Sequence, residues 1–95
     1  MKIFTIEGDD GGLYPTTINV RRGDTVRITF KTRTVGVYFN GLDFRGGAYF
    51  NTGTILPGGS KTVEFVADQS FDFKSYWPTS GVLKATGNII VISNQ

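Results

Sequence analysis

In Thr25-Val26-Arg27-Ile28-Thr29-Phe30-Lys31, apolar Val26, Ile28 and Phe30 alternate with polar Arg27, Thr29 and Lys31. A period of two is that of a β-strand with one face in a core and the other in water. On either side, the same alternation reads as half-buried strands over 2–7, 16–20 and 61–66. Fuller apolar runs read as more deeply buried strands over 71–77 and 86–93. Residues 35–44 read as extended with a looser pattern. No window carries apolar residues at i, i+3, i+4 and i+7, so helix is nearly excluded.

Turn residues punctuate these runs: Gly8-Asp9-Asp10-Gly11-Gly12, Arg22-Gly23-Asp24, Arg45-Gly46-Gly47, Pro57-Gly58-Gly59 and Pro78-Thr79-Ser80-Gly81. About seven or eight short strands joined by such turns make an all-β sandwich or small barrel. A chain of 95 residues is expected to form one domain, 1–95, around one core. It shows no internal repeat, low-complexity tract or linker.

Composition removes whole classes of chemistry. The chain has no cysteine and no histidine, so disulfides, thiolate and imidazole ligands, and Cys or His nucleophiles are unavailable to it. The net charge of +2 is too small to imply nucleic acid or an anionic membrane as partner. No run approaches the roughly 18 apolar residues of a spanning helix, so no membrane insertion is expected. Met1-Lys2-Ile3-Phe4-Thr5-Ile6 meets Glu7 and Asp9 before a secretory apolar region is complete. The expectation is a chain that stays where it is made, or a mature domain with a start methionine.

Few residue groups suggest a site. Glu7, Asp9 and Asp10 beside Gly11 could offer carboxylate oxygens to calcium, but the spacing matches no calcium loop, and a solvated turn is the expected role. Asp43, Asp68 and Asp72 are scattered, with no acid–base pair among them. Arg21, Arg22, Arg27, Lys31 and Arg33 cluster in sequence, and Arg27, Lys31 and Arg33 are read on one strand face. Phe30 alternates away from them, which leaves charge without the stacking platform a single-strand nucleic-acid reader needs. The densest aromatic group is Phe71, Phe73, Tyr76 and Trp77, followed by Pro78. Phe71, Phe73 and Trp77 read as core anchors. Tyr76 and Trp77 also fall where strand gives way to loop, where an aromatic with a polar handle suits recognition; Tyr38 and Tyr49 share that character.

These residues together resemble a cupredoxin, the small single-domain type related to plastocyanin-like and oxidase-subunit-II-like domains. Phe4-Thr5-Ile6-Glu7, then Pro15-Thr16-Thr17-Ile18-Asn19-Val20-Arg21-Arg22-Gly23-Asp24-Thr25-Val26, is similar to the family's first strands and their Lys/Arg-Gly-Asp turn. Leu56-Pro57-Gly58-Gly59-Ser60-Lys61-Thr62-Val63-Glu64-Phe65 resembles its proline-glycine turn and next core strand. Phe71-Asp72-Phe73-Lys74-Ser75 and Gly87-Asn88-Ile89-Ile90-Val91 resemble the strands that flank its copper-binding loop. The likeness covers almost the whole chain and implies a Greek-key β-sandwich.

The resemblance also implies where type 1 copper ligands stand in the family: one His in mid-chain, then Cys, His and Met in the late loop. Those late positions fall on Ser75, Ser80 and Ala85. The earlier one falls near Val37, or on Gly36 or Tyr38 with a shift. A blue-copper centre needs a thiolate and imidazoles, and none of these residues supplies either. Met1 is the only sulfur.

The resulting expectation is a metal-free, non-enzymatic interaction or structural module with no cofactor and no copper. It would contact an unknown protein partner through Tyr38, Tyr76, Trp77 and Ser80 at the former copper end. Two alternatives stand beside it: an electron-transfer copper protein in a form whose ligands have been removed, and, ranked lower, a small β-barrel nucleic-acid binder. The resemblance places the domain outside the cytoplasm, in a periplasm or at a cell surface.

Overall fold

Nine strands account for the regular structure of a computed structural model that describes residues 1–93. They are β1 (Lys2–Asp9), β2 (Gly12–Tyr14), β3 (Thr17–Arg21), β4 (Thr25–Thr32), β5 (Leu42–Arg45), β6 (Asn51–Ile55), β7 (Ser60–Val66), β8 (Phe71–Tyr76) and β9 (Leu83–Ile92). No helix occurs among the described residues. The strands form two sheets, one ordered β2-β1-β4-β7 and the other β3-β9-β8-β5-β6. The neighbouring pairs are antiparallel except β1 with β4 and β3 with β9. Strands in a parallel pair cannot be joined by a tight hairpin. Here the chain leaves the first sheet after β2 and enters the second as β3 before it returns as β4 beside β1.

Alternation along β4 is as the sequence reads it, with Val26, Ile28, Phe30 and Thr32 buried and Arg27 and Lys31 exposed. Ile6, Ile28 and Phe30 from the first sheet meet Leu42, Phe44, Phe73 and Ile89 from the second in one core. The Phe30 ring lies 4.9 Å from that of Phe44, 5.1 Å from Phe50 and 5.9 Å from Phe73, centroid to centroid. Each fully buried phenylalanine contributes about 1.5–3 kcal/mol through loss of water-exposed apolar surface. This aromatic cluster, with the aliphatic side chains around it, joins the two sheets.

Several expectations change in detail. Residues 35–44 are not one extended run: strand begins only at Leu42, and the preceding residues form a loop of bends and a turn. β2 and β6 are not legible as strands in the sequence, and they bring the number to nine. Arg33 lies beyond the end of β4, so it does not share a strand with Arg27 and Lys31. Gly87 in β9 has a packing reason to lack a side chain. A Cβ there would stand 2.6 Å from the Phe73 ring and 2.5 Å from the Thr16 carbonyl oxygen.

Candidate functional site

β8 carries the late-loop signature and delivers its residues to opposite faces. Phe73 and Ser75 point into the core; Asp72, Lys74 and Tyr76 point away. Ser75 is wholly buried, and its Oγ has no hydrogen-bond partner among the described residues. Its neighbours across the ladders are Phe44 on β5 and Ala85 on β9. Ala85 and Val37 are half-buried against the core, whereas Ser80 lies exposed on the loop between β8 and β9. One buried hydroxyl, one exposed hydroxyl and two hydrocarbon side chains do not make a donor set for a type 1 copper. Among the described residues no three His, Cys, Asp or Glu side chains are grouped to hold a metal. The donor set does not fit copper.

Just beyond Ser75 the chain builds a different feature. Trp77 N–H donates to the Val82 carbonyl at 2.9 Å, and Gly81 N–H donates to the Trp77 carbonyl at 2.8 Å. Gly81 adopts a φ of 73°, left-handed backbone that favours glycine, and this folds Pro78-Thr79-Ser80 back so that Trp77 and Val82 stand side by side. The loop between β4 and β5 forms the opposite wall. Tyr38, Asn40, Trp77, Thr79, Ser80 and Val82 line the resulting cleft of about 340 Å³.

Aromatic rings and polar side chains hold the two walls together. The Tyr38 ring lies 5.2 Å from that of Trp77 and 4.5 Å from that of Phe39. Asn40 Nδ2 donates to Thr79 Oγ1 at 3.0 Å across the rim. Lys84 places its ammonium 4.0 Å from the centre of the Trp77 ring, within cation–π range. Apolar surface is accessible here: Val82 in the lining and Phe39 against the Tyr38 ring are both exposed. Aromatic rings, a few polar groups and accessible hydrocarbon thus lie together at this end.

The structure brings Tyr38, Trp77 and Ser80 to this cleft and separates Tyr76 from them. Strand parity sends Tyr76 to the outer face of the second sheet, where it lines a hollow with Arg45, Asp72 and Lys74. The Arg45 guanidinium lies 5.4 Å from its ring centre. Arg45 also donates to Asp43 Oδ2 at 2.9 and 2.7 Å, and this hydrogen bond raises the Arg45 pKa above its ordinary value. Tyr49 lies elsewhere again, stacked 4.0 Å from Phe71 and donating its hydroxyl to Asp68.

The other sequence candidates are spent on internal ties. Asp9 Oδ1 accepts from Gly11 N–H and the Tyr14 hydroxyl, while Arg33 pairs with Glu7 and Asp9. Arg27 pairs with Glu64 across β4 and β7. On this sheet face the Arg33 guanidinium lies 4.1 Å from the centre of the half-exposed Tyr14 ring, and Phe30 is buried on the opposite face. Sequence reasoning missed Phe39, Asn40 and Asp10 as parts of the site. Phe39 sits in a segment of loose pattern, and Asp10 stands out only for its carboxylate in a glycine-rich turn.

No family model and no curated protein sequence matches the chain. Solved structures do. Auracyanin from the photosynthetic bacterium Roseiflexus castenholzii superimposes with a TM-score of 0.72 at 17% identity, over 97% of this chain and 98% of that one. The multicopper oxidase mgLAC matches with a TM-score of 0.74 at 15% identity, and the blue copper oxidase from Nitrosomonas europaea with 0.72 at 13%. Each oxidase match takes in 99% of this chain and only 39% of the oxidase, so the chain spans about two fifths of their length. At these identities the likeness is one of fold: two packed sheets in the cupredoxin-like arrangement.

Proposed function

We propose that this cupredoxin-like β-sandwich is a non-enzymatic contact module that binds a protein partner through the cleft between its β4–β5 and β8–β9 loops. The observation that carries the reading is the meeting of Tyr38 and Trp77, distant in sequence, on one cleft that also holds exposed Val82 and has exposed Phe39 against the Tyr38 ring. Apolar side chains held at the tips of loops on a rigid sandwich are costly to leave in water and suited to be buried by a partner. The copper-shuttling alternative finds no support, because its ligand positions hold Val37, Ser75, Ser80 and Ala85. The setting outside the cytoplasm implied by the resemblance belongs to the same proposal.

The test begins with capture of partners from an extract of the source organism on the immobilised domain. It continues with affinities of the purified partner for the parent chain and for Tyr38→Ala and Trp77→Ala. Central aromatic anchors typically contribute more than about 1 kcal/mol each, so both variants should bind at least about fivefold more weakly while circular dichroism shows the sandwich intact. Unchanged affinity in folded variants removes the cleft from the interface.

A further inference from the structure

One side chain outside the lining of the Tyr38–Trp77 cleft reaches both of its walls. Asp10 sits in the turn between β1 and β2, 28 residues from Tyr38 and 67 from Trp77. Its Oδ1 accepts the indole N–H of Trp77 at 2.9 Å, and its Oδ2 accepts the backbone N–H of Tyr38 at 3.1 Å. Its own backbone N–H donates to the Gly36 carbonyl at 3.0 Å. One carboxylate thus holds one donor from each wall of the cleft, and its backbone holds the β4–β5 loop a second time.

We propose that Asp10 is the positioning residue of the Tyr38–Trp77 cleft, the cross-link that fixes the β4–β5 loop against the β8–β9 loop. This proposal rests on the reading of the cleft as the contact surface, and it names what sets that surface's geometry. The chemistry favours an ionised carboxylate over its neutral analogues. Both oxygens act as acceptors, as two converging N–H groups require, and a bond to a charged acceptor is stronger than one between neutral groups. An asparagine in the same place offers one oxygen and turns an NH2 toward the second donor. The loop residues from Gly36 to Gly41 make no strand pairing, so side-chain ties such as this one hold them in place. The Tyr38–Trp77 ring contact at 5.2 Å and the Asn40–Thr79 bond at the rim both depend on the two loops being held at this separation.

Trp77 is the chain's single tryptophan, so its fluorescence reports on the cleft alone. Asp10→Asn and Asp10→Ala should remain folded sandwiches by circular dichroism. In both, Trp77 emission should move to longer wavelength, acrylamide should quench it more efficiently, and the Tyr38 amide should exchange faster with solvent. Loss of a charge-assisted hydrogen bond changes the ratio of closed to open loop by about tenfold or more, so Tyr38 exchange should accelerate by that factor. Asp24→Asn, which alters the carboxylate that accepts from Arg21 N–H before β4, should leave all three readouts where they are. If a folded Asp10→Ala chain keeps parental emission, quenching and exchange, the proposal is overturned. Should Asp10→Ala fail to fold, Asp10→Asn, which preserves volume, decides the matter by the same three readouts. None of these measurements needs a partner. If Asp10→Asn loosens Trp77 but leaves affinity for a verified partner unaltered, the contact-surface reading fails while the cross-link stands.

Discussion

Ser75 faces Ala85 across the β8–β9 ladder, and the serine's hydroxyl is wholly buried without a hydrogen-bond partner among the described residues. A hydroxyl in that condition costs about 1–3 kcal/mol of lost hydration. Removing it while keeping the Cβ removes the cost and leaves little space behind. Ser75→Ala should therefore raise stability by about 1 kcal/mol, seen as a melting temperature higher by about 4–8 °C in a domain of this size. A lower melting temperature would mean that the hydroxyl has a partner in solution.

Gly87 provides the opposite case, a position where one added carbon does harm. A Cβ there would meet the Phe73 ring and the Thr16 carbonyl closer than van der Waals contact allows. Phe73 is wholly buried and Thr16 is backbone at the entry to β3, so neither yields cheaply. Overpacking of this kind costs about 1–3 kcal/mol, and Gly87→Ala should lower the urea midpoint accordingly with an unchanged slope. A parental midpoint would show that the β8–β9 ladder is looser at Gly87 than its packing indicates.

The difference between β4 and β6 shows what the sequence can and cannot reveal. Val26, Ile28 and Phe30 announce a half-buried strand because burial and side-chain period coincide over seven consecutive residues. In Asn51-Thr52-Gly53-Thr54-Ile55 only Thr52 and Ile55 are buried, so pairing with β5 supplies what local pattern does not. The same distinction governs the site. Tyr38 and Trp77 could be nominated from their chemistry and their place beside turns. That Tyr76 would part from Trp77 follows from strand parity, but only once β8 is known to run to Tyr76. The Asp10 tie spans 67 residues, and its only sequence trace is an aspartate in a glycine-rich turn.

Tyr49 gives the fold a dependence on alkaline pH. Its hydroxyl donates to the Asp68 carboxylate, and this hydrogen bond, followed by burial, raises its pKa above the ordinary value. The neutral phenol is the form that binds, so its contribution to stability is fully present below the unfolded pKa of about 10. It is lost as pH rises through the higher folded pKa, where two anions would face one another. The stability advantage of the parent over Tyr49→Phe, measured by urea denaturation, should hold at neutral pH and shrink above about pH 10. A gap that stays constant across that range would show that Asp68 is not the acceptor.

Phe39 and Phe30 are the same residue in opposite circumstances, and comparing them separates the demands of the fold from those of the surface. Phe30 is 0% exposed and lies within 6 Å, between ring centres, of three other phenylalanines; Phe39 is 71% exposed and touches the Tyr38 ring. Phe30→Ala should cost about 3–5 kcal/mol, as truncation in a packed core does. Phe39→Ala should change stability by no more than about 0.5 kcal/mol, as substitutions on an open surface do. Paired urea titrations measure both. A near-neutral Phe39→Ala leaves the ring without a role in folding and frees it to be covered by a partner. A cost approaching that of Phe30→Ala would make Phe39 part of the scaffold and take it out of the contact surface.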